Sequence, residues 1–199
     1  MFYAIVAIVF FASFAMMVRE GIWSNTIALV NIALSGFLAY GLYMPLTTMV
    51  DEALDGSYTY LLDLLIIWAL FSVSMIVLRI VSEKLSKTRL RLKYPLDAIG
   101  GPVMGLLAAW LMTSFVIATL HTSPLSKDTL GGGLVHQGEQ IDGGRSLFTA
   151  PDLAWLSFVE RSTSPAGYGG SGFSAGAFVK IYADHRAKLE KAPGLTVKR

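Results

Sequence analysis

Residues 56–78 read GSYTYLLDLLIIWALFSVSMIVL, and this stretch contains a single charged side chain, Asp63. A bilayer core of about 30 Å needs roughly 20 apolar residues of α-helix to cross it, because each residue advances about 1.5 Å. Three further apolar runs surround it, at residues 1–18, 21–50 and 98–120, and none of them contains a charged residue. The sequence therefore predicts an all-α integral membrane protein with four transmembrane helices.

The composition divides the chain into a membrane part and a polar part. Hydrophobic residues make up 54% of the chain and charged residues 15%, against about 25% in soluble proteins. The stretch from residue 121 onward nevertheless holds 16 of the 30 charged side chains and 12 of the 19 glycines. We therefore expect a transmembrane domain at residues 1–120, a glycine-rich linker at 121–150 and a helical tail at 151–199.

Charge and residue type exclude several classes of function. The net charge is +2 and no basic stripe with interleaved aromatic residues occurs, so nucleic acid is not an expected partner. The chain has no cysteine, which excludes disulfides, thiol catalysis and thiolate metal sites. Its 3 histidines are too scattered to suggest a metal centre, and we expect no cofactor.

The loops between the runs indicate the orientation of the helices. Residues 19–20 contain one Lys or Arg, residues 51–55 contain none, and residues 79–97 contain six. Cytoplasmic loops carry the excess of Lys and Arg, so we expect the first and third loops in the cytoplasm and both termini outside. The first run lacks the basic segment that precedes the apolar core of a signal peptide, so we expect it to remain as a span.

Proline and polar residues interrupt the second run. Because Pro45 lacks the amide proton that an inner helical turn needs, we expect the helix to end or kink there, with the span at residues 25–44. Residues 46–56 would then lie along the outer membrane surface. Asn31 and Ser35 are four residues apart on one face of this span, where hydrogen bonding to another helix is their ordinary role.

Small residues mark the start of the fourth run. Residues 101–105 read GPVMG, a GxxxG pattern, and Gly100 precedes it. In lipid, small residues let two helix backbones approach closely. Gly100, Gly101 and Gly105 therefore predict a helix contact, either within this chain or with a second copy in a homo-oligomer.

Asp63 is the one ionisable residue within the apolar runs. A carboxylate at the bilayer centre costs about 2.5–3.5 kcal/mol on insertion scales, and such residues often mark ion or proton pathways. Asp63 lies near the outer end of its run, however, close to the positive end of the helix dipole. A hydrogen-bonded structural acid and an ion pathway are both consistent with this position.

The tail contains two predicted amphipathic helices. One opens at Thr149-Ala150-Pro151-Asp152 and runs through Arg161, and the other covers residues 174–191. Such helices cannot bury a core alone, so we expect the tail in isolation to be mostly disordered and to fold on the bundle, the membrane surface or a partner. The predicted interaction faces consist of Leu153, Trp155, Leu156 and Val159 in the first helix, and of Phe178, Ile181, Tyr182 and Leu189 in the second.

A match to a hydrolase motif also lies in the tail. Residues 172–176 read GFSAG, which fits G-x-S-x-G around Ser174, and Asp184 and His185 follow. A nucleophile elbow needs a strand before the serine and a large α/β sheet around it, whereas a glycine-rich stretch precedes Ser174. We therefore interpret Ser174 as a helix N-cap.

The first 120 residues resemble the colicin V production (CvpA) family. The resemblance rests on the sequence REG at residues 19–21 after a short first span, on GFLAY at 36–40, and on LDAIGGPVMGLL at 96–107. Members of that family open the last span with an aspartate, paired glycines and a further glycine four residues on. The resemblance implies a non-enzymatic bacterial inner-membrane protein linked to toxin production or export, with the tail in the periplasm.

Three functions are compatible with the sequence. The first is an accessory or structural membrane protein whose tail contacts a protein partner or a larger membrane complex. The second is an ion- or proton-coupled transport component that uses Asp63 and the polar face near Asn31. The third is a membrane-tethered hydrolase that uses Ser174.

Overall fold

The computed structural model of the chain describes residues 1–53, 59–86, 96–125, 149–163 and 173–191. The side chains of residues 59, 60 and 189–191 are not among those described. No residue in these ranges lies in a β-strand, which confirms the expectation of an all-α protein. The helices are α1 (Phe2–Met17), α2 (Ile22–Ala53), α3 (Thr59–Leu85), α4 (Leu96–Thr119), a 3₁₀ turn (Leu120–Thr122), α5 (Pro151–Thr163) and α6 (Ala175–Lys191).

The lengths of the apolar helices bear on the number of membrane spans. Of the residues that the structure describes, 3 helical segments are long and apolar enough to cross a bilayer: Ile22–Ala53, Leu61–Leu85 and Leu96–Thr122. Helix α1 is apolar too but has 16 residues, which gives it a length of about 24 Å. The structure thus supports a multi-pass membrane protein with three long apolar helices and one short one.

Helix α2 does not end at Pro45. It runs for 32 residues to Ala53, so of the two predicted outcomes, an end or a kink at Pro45, the end is wrong. A proline removes one backbone hydrogen bond, and membrane helices tolerate this loss because neighbouring groups satisfy the freed carbonyl. Residues 46–53 accordingly belong to α2, and residues 54–56 of the predicted surface segment lie outside the described residues.

Helix α4 is the central element of the bundle. It contacts α1, α2, α5 and the 3₁₀ turn, whereas α3 packs mainly on α2. In its most apolar window α4 has 50% of its residues buried inside the protein, against 11% for α3. Most of the apolar surface of α3 is therefore available to lipid, whereas half of the residues in the corresponding window of α4 are covered by protein.

The turn between α1 and α2 is held against the start of α4 by hydrogen bonds. The backbone N–H of Ile22, the first residue of α2, donates to Asp97 Oδ1 at 2.9 Å. Asn25 Nδ2 lies 2.8 Å from the carbonyl oxygen of Gly101, 3.0 Å from that of Met17 and 3.3 Å from that of Glu20. A single amide group thus joins the end of α1, the turn and α4.

The glycines at the start of α4 allow this close approach. A Cβ on Gly101 would lie 2.7 Å from the backbone oxygen of Glu20, and a Cβ on Gly105 would lie 3.1 Å from Asn25 Nδ2. A Cβ on Gly100 would lie 2.5 Å from Ile22 Cδ1. The structure places all three glycines at a contact within this chain. We call residues 17–25 together with residues 97–105 the glycine junction.

The ends of the tail helices follow from local sequence. Pro151 is the first residue of α5, where a proline costs no hydrogen bond, and Asp152 lies in the first turn, where the helix dipole favours a negative charge. Ser174 directly precedes α6, and its Oγ accepts the backbone N–H of Ala177 at 3.4 Å. This is the N-cap geometry that the sequence predicts for Ser174.

The tail helices pack on the bundle of their own chain. Helix α5 lies against α4, and α6 contacts α5 and the 3₁₀ turn. Their apolar faces join side chains of α2, α3 and α4 in one continuous core, which comprises Ala39, Tyr40, Tyr43, Ile67, Phe71, Phe115, Ala118, Leu153, Trp155, Leu156, Val159, Ala175, Phe178 and Tyr182.

The glycine junction predicts a large difference between two glycine-to-alanine substitutions. Gly101→Ala should destabilise the protein by about 1–3 kcal/mol, because its new Cβ would meet a backbone oxygen that cannot rotate away. Gly41→Ala is the matched control, since a Cβ there has nothing within 4 Å and alanine is the better helix former. Thermal unfolding in detergent should show a lower midpoint for Gly101→Ala only. Equal midpoints for the two variants would contradict the packing described here.

Candidate functional site

A groove between α2, α3 and α4 receives the tail. A Cβ built on Gly36 would overlap the Cη2 and Cζ2 atoms of Trp155 and would lie 3.3 Å from Phe115. The indole therefore occupies the volume that a larger residue at position 36 would fill. We call the surface formed by Gly36, Tyr40, Asp63 and Phe115 the tail groove.

Trp155 is the anchor of α5. Its side chain is fully buried, and its ring centroid lies 5.4 Å from that of Phe115 in an edge-to-face arrangement. The ring centroids of Tyr40 and Phe37 lie 6.0 Å and 6.5 Å from that of Trp155. Aromatic pairs of this kind add about 0.5–1.5 kcal/mol beyond their area burial, and truncating a buried tryptophan to alanine typically costs about 3–5 kcal/mol.

Phe178 is the corresponding anchor of α6. It is 2% exposed and lies among three tyrosine rings, with centroids 4.7 Å from Tyr182, 5.7 Å from Tyr40 and 6.5 Å from Tyr43. Because Tyr40 also contacts Trp155, one side chain of α2 supports both tail helices. The two helices therefore share a binding surface on the bundle.

Asp63 is bonded to the tail. The hydroxyl of Tyr182 in α6 donates to Asp63 Oδ2 at 2.7 Å. Burial raises the pKa of Tyr182 well above its ordinary value of 10.0, and the nearby Tyr43 and Asp63 raise it further. The phenol is thus protonated at neutral pH and available as a donor. Folding raises the pKa of Tyr182, so the protonated phenol contributes its full stabilisation below about pH 10. This stabilisation is lost as the pH rises further.

A buried histidine–carboxylate contact joins the bundle to the start of α5. His121 Nε2, in the 3₁₀ turn, lies 2.7 Å from Asp152 Oδ2, and both side chains are 0% exposed. Removing either partner alone would leave the other buried without this contact, and breaking a buried pair in this way is strongly destabilising. The contact fixes where α5 begins relative to the end of α4.

Two polar atoms in the groove lack a hydrogen-bond partner among the described residues. They are the hydroxyl of Tyr40 and the indole Nε1 of Trp155, each fully enclosed. A buried polar group without a partner costs about 1–3 kcal/mol. The docking of the tail is therefore strongly favoured by apolar contacts but carries a polar cost at its centre.

Polar side chains inside the bundle bond between helices. Ser82 Oγ of α3 donates to Asn31 Oδ1 of α2 at 3.1 Å, and Ser35 Oγ donates to Met75 Sδ at 3.8 Å. The two residues of α2 thus bond to α3, on the face predicted from their i, i+4 spacing. A polar group in lipid is stabilised by such a partner on a neighbouring helix.

The predicted faces of the tail helices lie mostly in the groove. Ile181 is the exception, with 42% of its surface exposed, and the side chain of Leu189 lies outside the described residues. The remaining predicted residues are all buried, namely Leu153, Trp155, Leu156, Val159, Phe178 and Tyr182.

Several residues of the site did not stand out in the sequence. Gly36 and Tyr40 stand out in the sequence only through the family resemblance, and His121 is one of three histidines too scattered to indicate a metal site. One signal could have suggested the pairing of His121 with Asp152: each directly adjoins the end of a predicted helix. No local pattern identifies Gly36 as the partner of Trp155, because 118 residues lie between them along the chain.

The described residues of these sites make hydrogen bonds and packing contacts. In the described ranges no group of three or more His, Asp or Glu residues is placed to hold a metal ion. Ser174 is engaged as the cap of α6, and the ring of His185 contacts Tyr182 with centroids 5.7 Å apart. Both of these contacts lie at or within α6.

Comparison with protein-family models identifies a family for most of the chain. A family model described as colicin V production protein matches residues 3–136, which covers α1 to α4 and ends before α5. No curated protein and no solved structure matches the chain. The matched region contains both halves of the glycine junction and the α2, α3 and α4 walls of the tail groove. The chain belongs to the colicin V production protein family.

Proposed function

We propose that the protein is a non-enzymatic accessory component of the bacterial inner membrane, acting in toxin production or export or in maintenance of the envelope. Its bundle would hold the tail on the periplasmic side, where the tail contacts a protein partner or a larger membrane complex. The main support for this proposal is that polar side chains inside the protein form hydrogen bonds between its own structural elements. Asn25, Asn31, Asp63 and Asp97 each bond to another element of the chain.

The proposed placement has four membrane spans with both termini outside. In this placement α1 to α4 alternate in direction, the glycine junction faces the cytoplasm and the tail groove faces the periplasm. The Lys and Arg counts of 1, 0 and 6 in the three loops support it. A span of 16 residues, such as α1, can be accommodated by local thinning of the bilayer.

Single cysteines test this orientation, since the chain has none of its own. Lys87→Cys should be protected from an impermeant thiol reagent in intact cells, because the third loop is proposed to be cytoplasmic. Ser162→Cys, in α5, should be labelled in cells whose outer membrane is permeabilised. Both should react once the inner membrane is lysed. Labelling at position 87 from outside would overturn the orientation.

Ion- or proton-coupled transport through Asp63 remains the alternative to a structural role. It is favoured by the position of this carboxylate within an apolar helix. Against it stands the hydrogen bond from Tyr182, which uses one carboxylate oxygen in docking the tail. Hydrolysis at Ser174 has less support, because the Oγ of this serine is used as a helix cap.

Asp63→Asn separates the structural role from transport. The amide oxygen of asparagine still accepts the Tyr182 hydroxyl, but the side chain can no longer exchange a proton. In a strain that depends on a family member for colicin V production, we expect Asp63→Asn and Ser174→Ala to restore production. Removal of residues 149–199 should abolish it although the bundle still reaches the membrane. Loss of production in Asp63→Asn at normal protein level would favour transport, and loss in Ser174→Ala would favour the hydrolase.

A further inference from the structure

The contacts of α5 move inward along the bundle as the helix proceeds. Its first turn lies beside the 3₁₀ turn that follows α4. Trp155 then contacts Phe115, which lies inside α4, and the ring centroid of Phe158 is 5.1 Å from that of Phe37, near the middle of α2. Helix α5 therefore runs back beside α4, from the outer end of the bundle towards its centre.

These contacts lie at the depth of the bilayer core. Ile22 belongs to the glycine junction, at the proposed cytoplasmic end of the bundle, and Phe37 is 15 residues further along α2. At about 1.5 Å per residue this is a distance of about 22 Å, within a hydrocarbon core of about 30 Å. The proposed membrane placement therefore puts the second half of α5 beside the membrane spans and not on the membrane surface.

Charged residues of α5 are exposed at this depth. Glu160 and Arg161 follow Phe158 within one helical turn, and Glu160 is partly exposed whereas Arg161 is exposed. A charged side chain at the bilayer centre costs about 2.5–3.5 kcal/mol on insertion scales. Charged groups at such a depth commonly face a water-filled cavity or other protein. Lipid tails are therefore an unfavourable environment for this face of the helix.

The polar face is continuous with the outer end of the bundle. Ser157 lies one turn before Arg161 on the same side of α5 and is partly exposed. Because α5 starts at the outer end, this serine lies between Arg161 and the periplasm in the proposed placement. Water from the periplasm can thus reach the charged residues along the helix itself, without any further component.

We propose that α5 lines a water-filled cleft in the outer half of the membrane domain, which admits water and small hydrophilic molecules from the periplasm. Its wall comprises Ser157, Glu160 and Arg161. On the opposite side of the helix the fully buried Trp155 packs on the fully buried Phe115, so the cleft is separated from the interior of the bundle. The cleft rests on the proposed membrane placement but not on the identity of the protein that the tail contacts.

The reactivity of single cysteines tests for water in the cleft. Ser157→Cys and Arg161→Cys are compared with Val73→Cys, which is 61% exposed on α3 and lies two residues after Phe71, whose ring stacks on that of Phe115 at 4.2 Å. In spheroplasts, a small impermeant thiosulfonate should modify positions 157 and 161 about tenfold faster or more than position 73. The reactive thiolate forms readily in water and is disfavoured in apolar surroundings.

A pair of cysteines in one chain establishes the depth of α5 in the same membranes. Phe37→Cys and Phe158→Cys should be joined by a short bismaleimide, in a product that mass spectrometry assigns to a single chain. Adding Gly36→Leu should reduce this product, because leucine fills the space of the indole, whereas Gly41→Leu should leave it unchanged.

The two measurements together decide between the possible environments of α5. Crosslinking combined with slow modification at positions 157 and 161 would overturn the cleft, because lipid or another protein then covers the helix. Absence of the crosslink in membrane-inserted protein would overturn it as well, because α5 then lies elsewhere. Fast modification at 157 and 161 only in inverted vesicles would overturn the periplasmic opening together with the proposed orientation.

Discussion

The insertion of the Trp155 ring into the space left by the missing Cβ of Gly36 is the contact on which the docked tail depends. It brings α5 against α2 and α4, and Tyr40 on its other side extends the same surface to Phe178 in α6. Without this insertion two helices of 13 and 17 residues would expose their apolar faces to water. Helices of this length are marginal in isolation, so packing must supply their stability.

Polar groups complement the apolar contact at defined positions. Asp63 receives the Tyr182 hydroxyl, His121 contacts Asp152, and the Asn25 amide joins three carbonyl groups at the glycine junction. Charged and amide groups are costly in a bilayer unless they find partners, and here the partners belong to other helices of the chain. Such bonds restrict how the helices can be arranged, which suits a protein that holds a tail in place.

Periodicity and composition predict where the helices lie in the sequence. They do not predict which helices pack against each other. The apolar runs predicted α2, α3 and α4, and cap signals predicted the starts of α5 and α6, because these features depend on neighbouring residues. Pro45 predicts an end or a kink in α2, and the helix continues past it because the surrounding helix supplies the hydrogen bonds that the proline does not. The pairing of Gly36 with Trp155 depends on tertiary structure, and no sequence pattern records which glycine faces which ring. The GxxxG pattern indicated close contact but left its partner open.

Amide hydrogen exchange on the intact protein in detergent tests the docking of the tail most directly. The account predicts that α5 and α6 are protected in the wild type and in Gly41→Leu, where the added side chain meets open space. In Gly36→Leu the leucine occupies the volume of the indole, so both tail helices should lose protection while α4 keeps it. Unchanged protection of α5 in Gly36→Leu would contradict the central role of this contact.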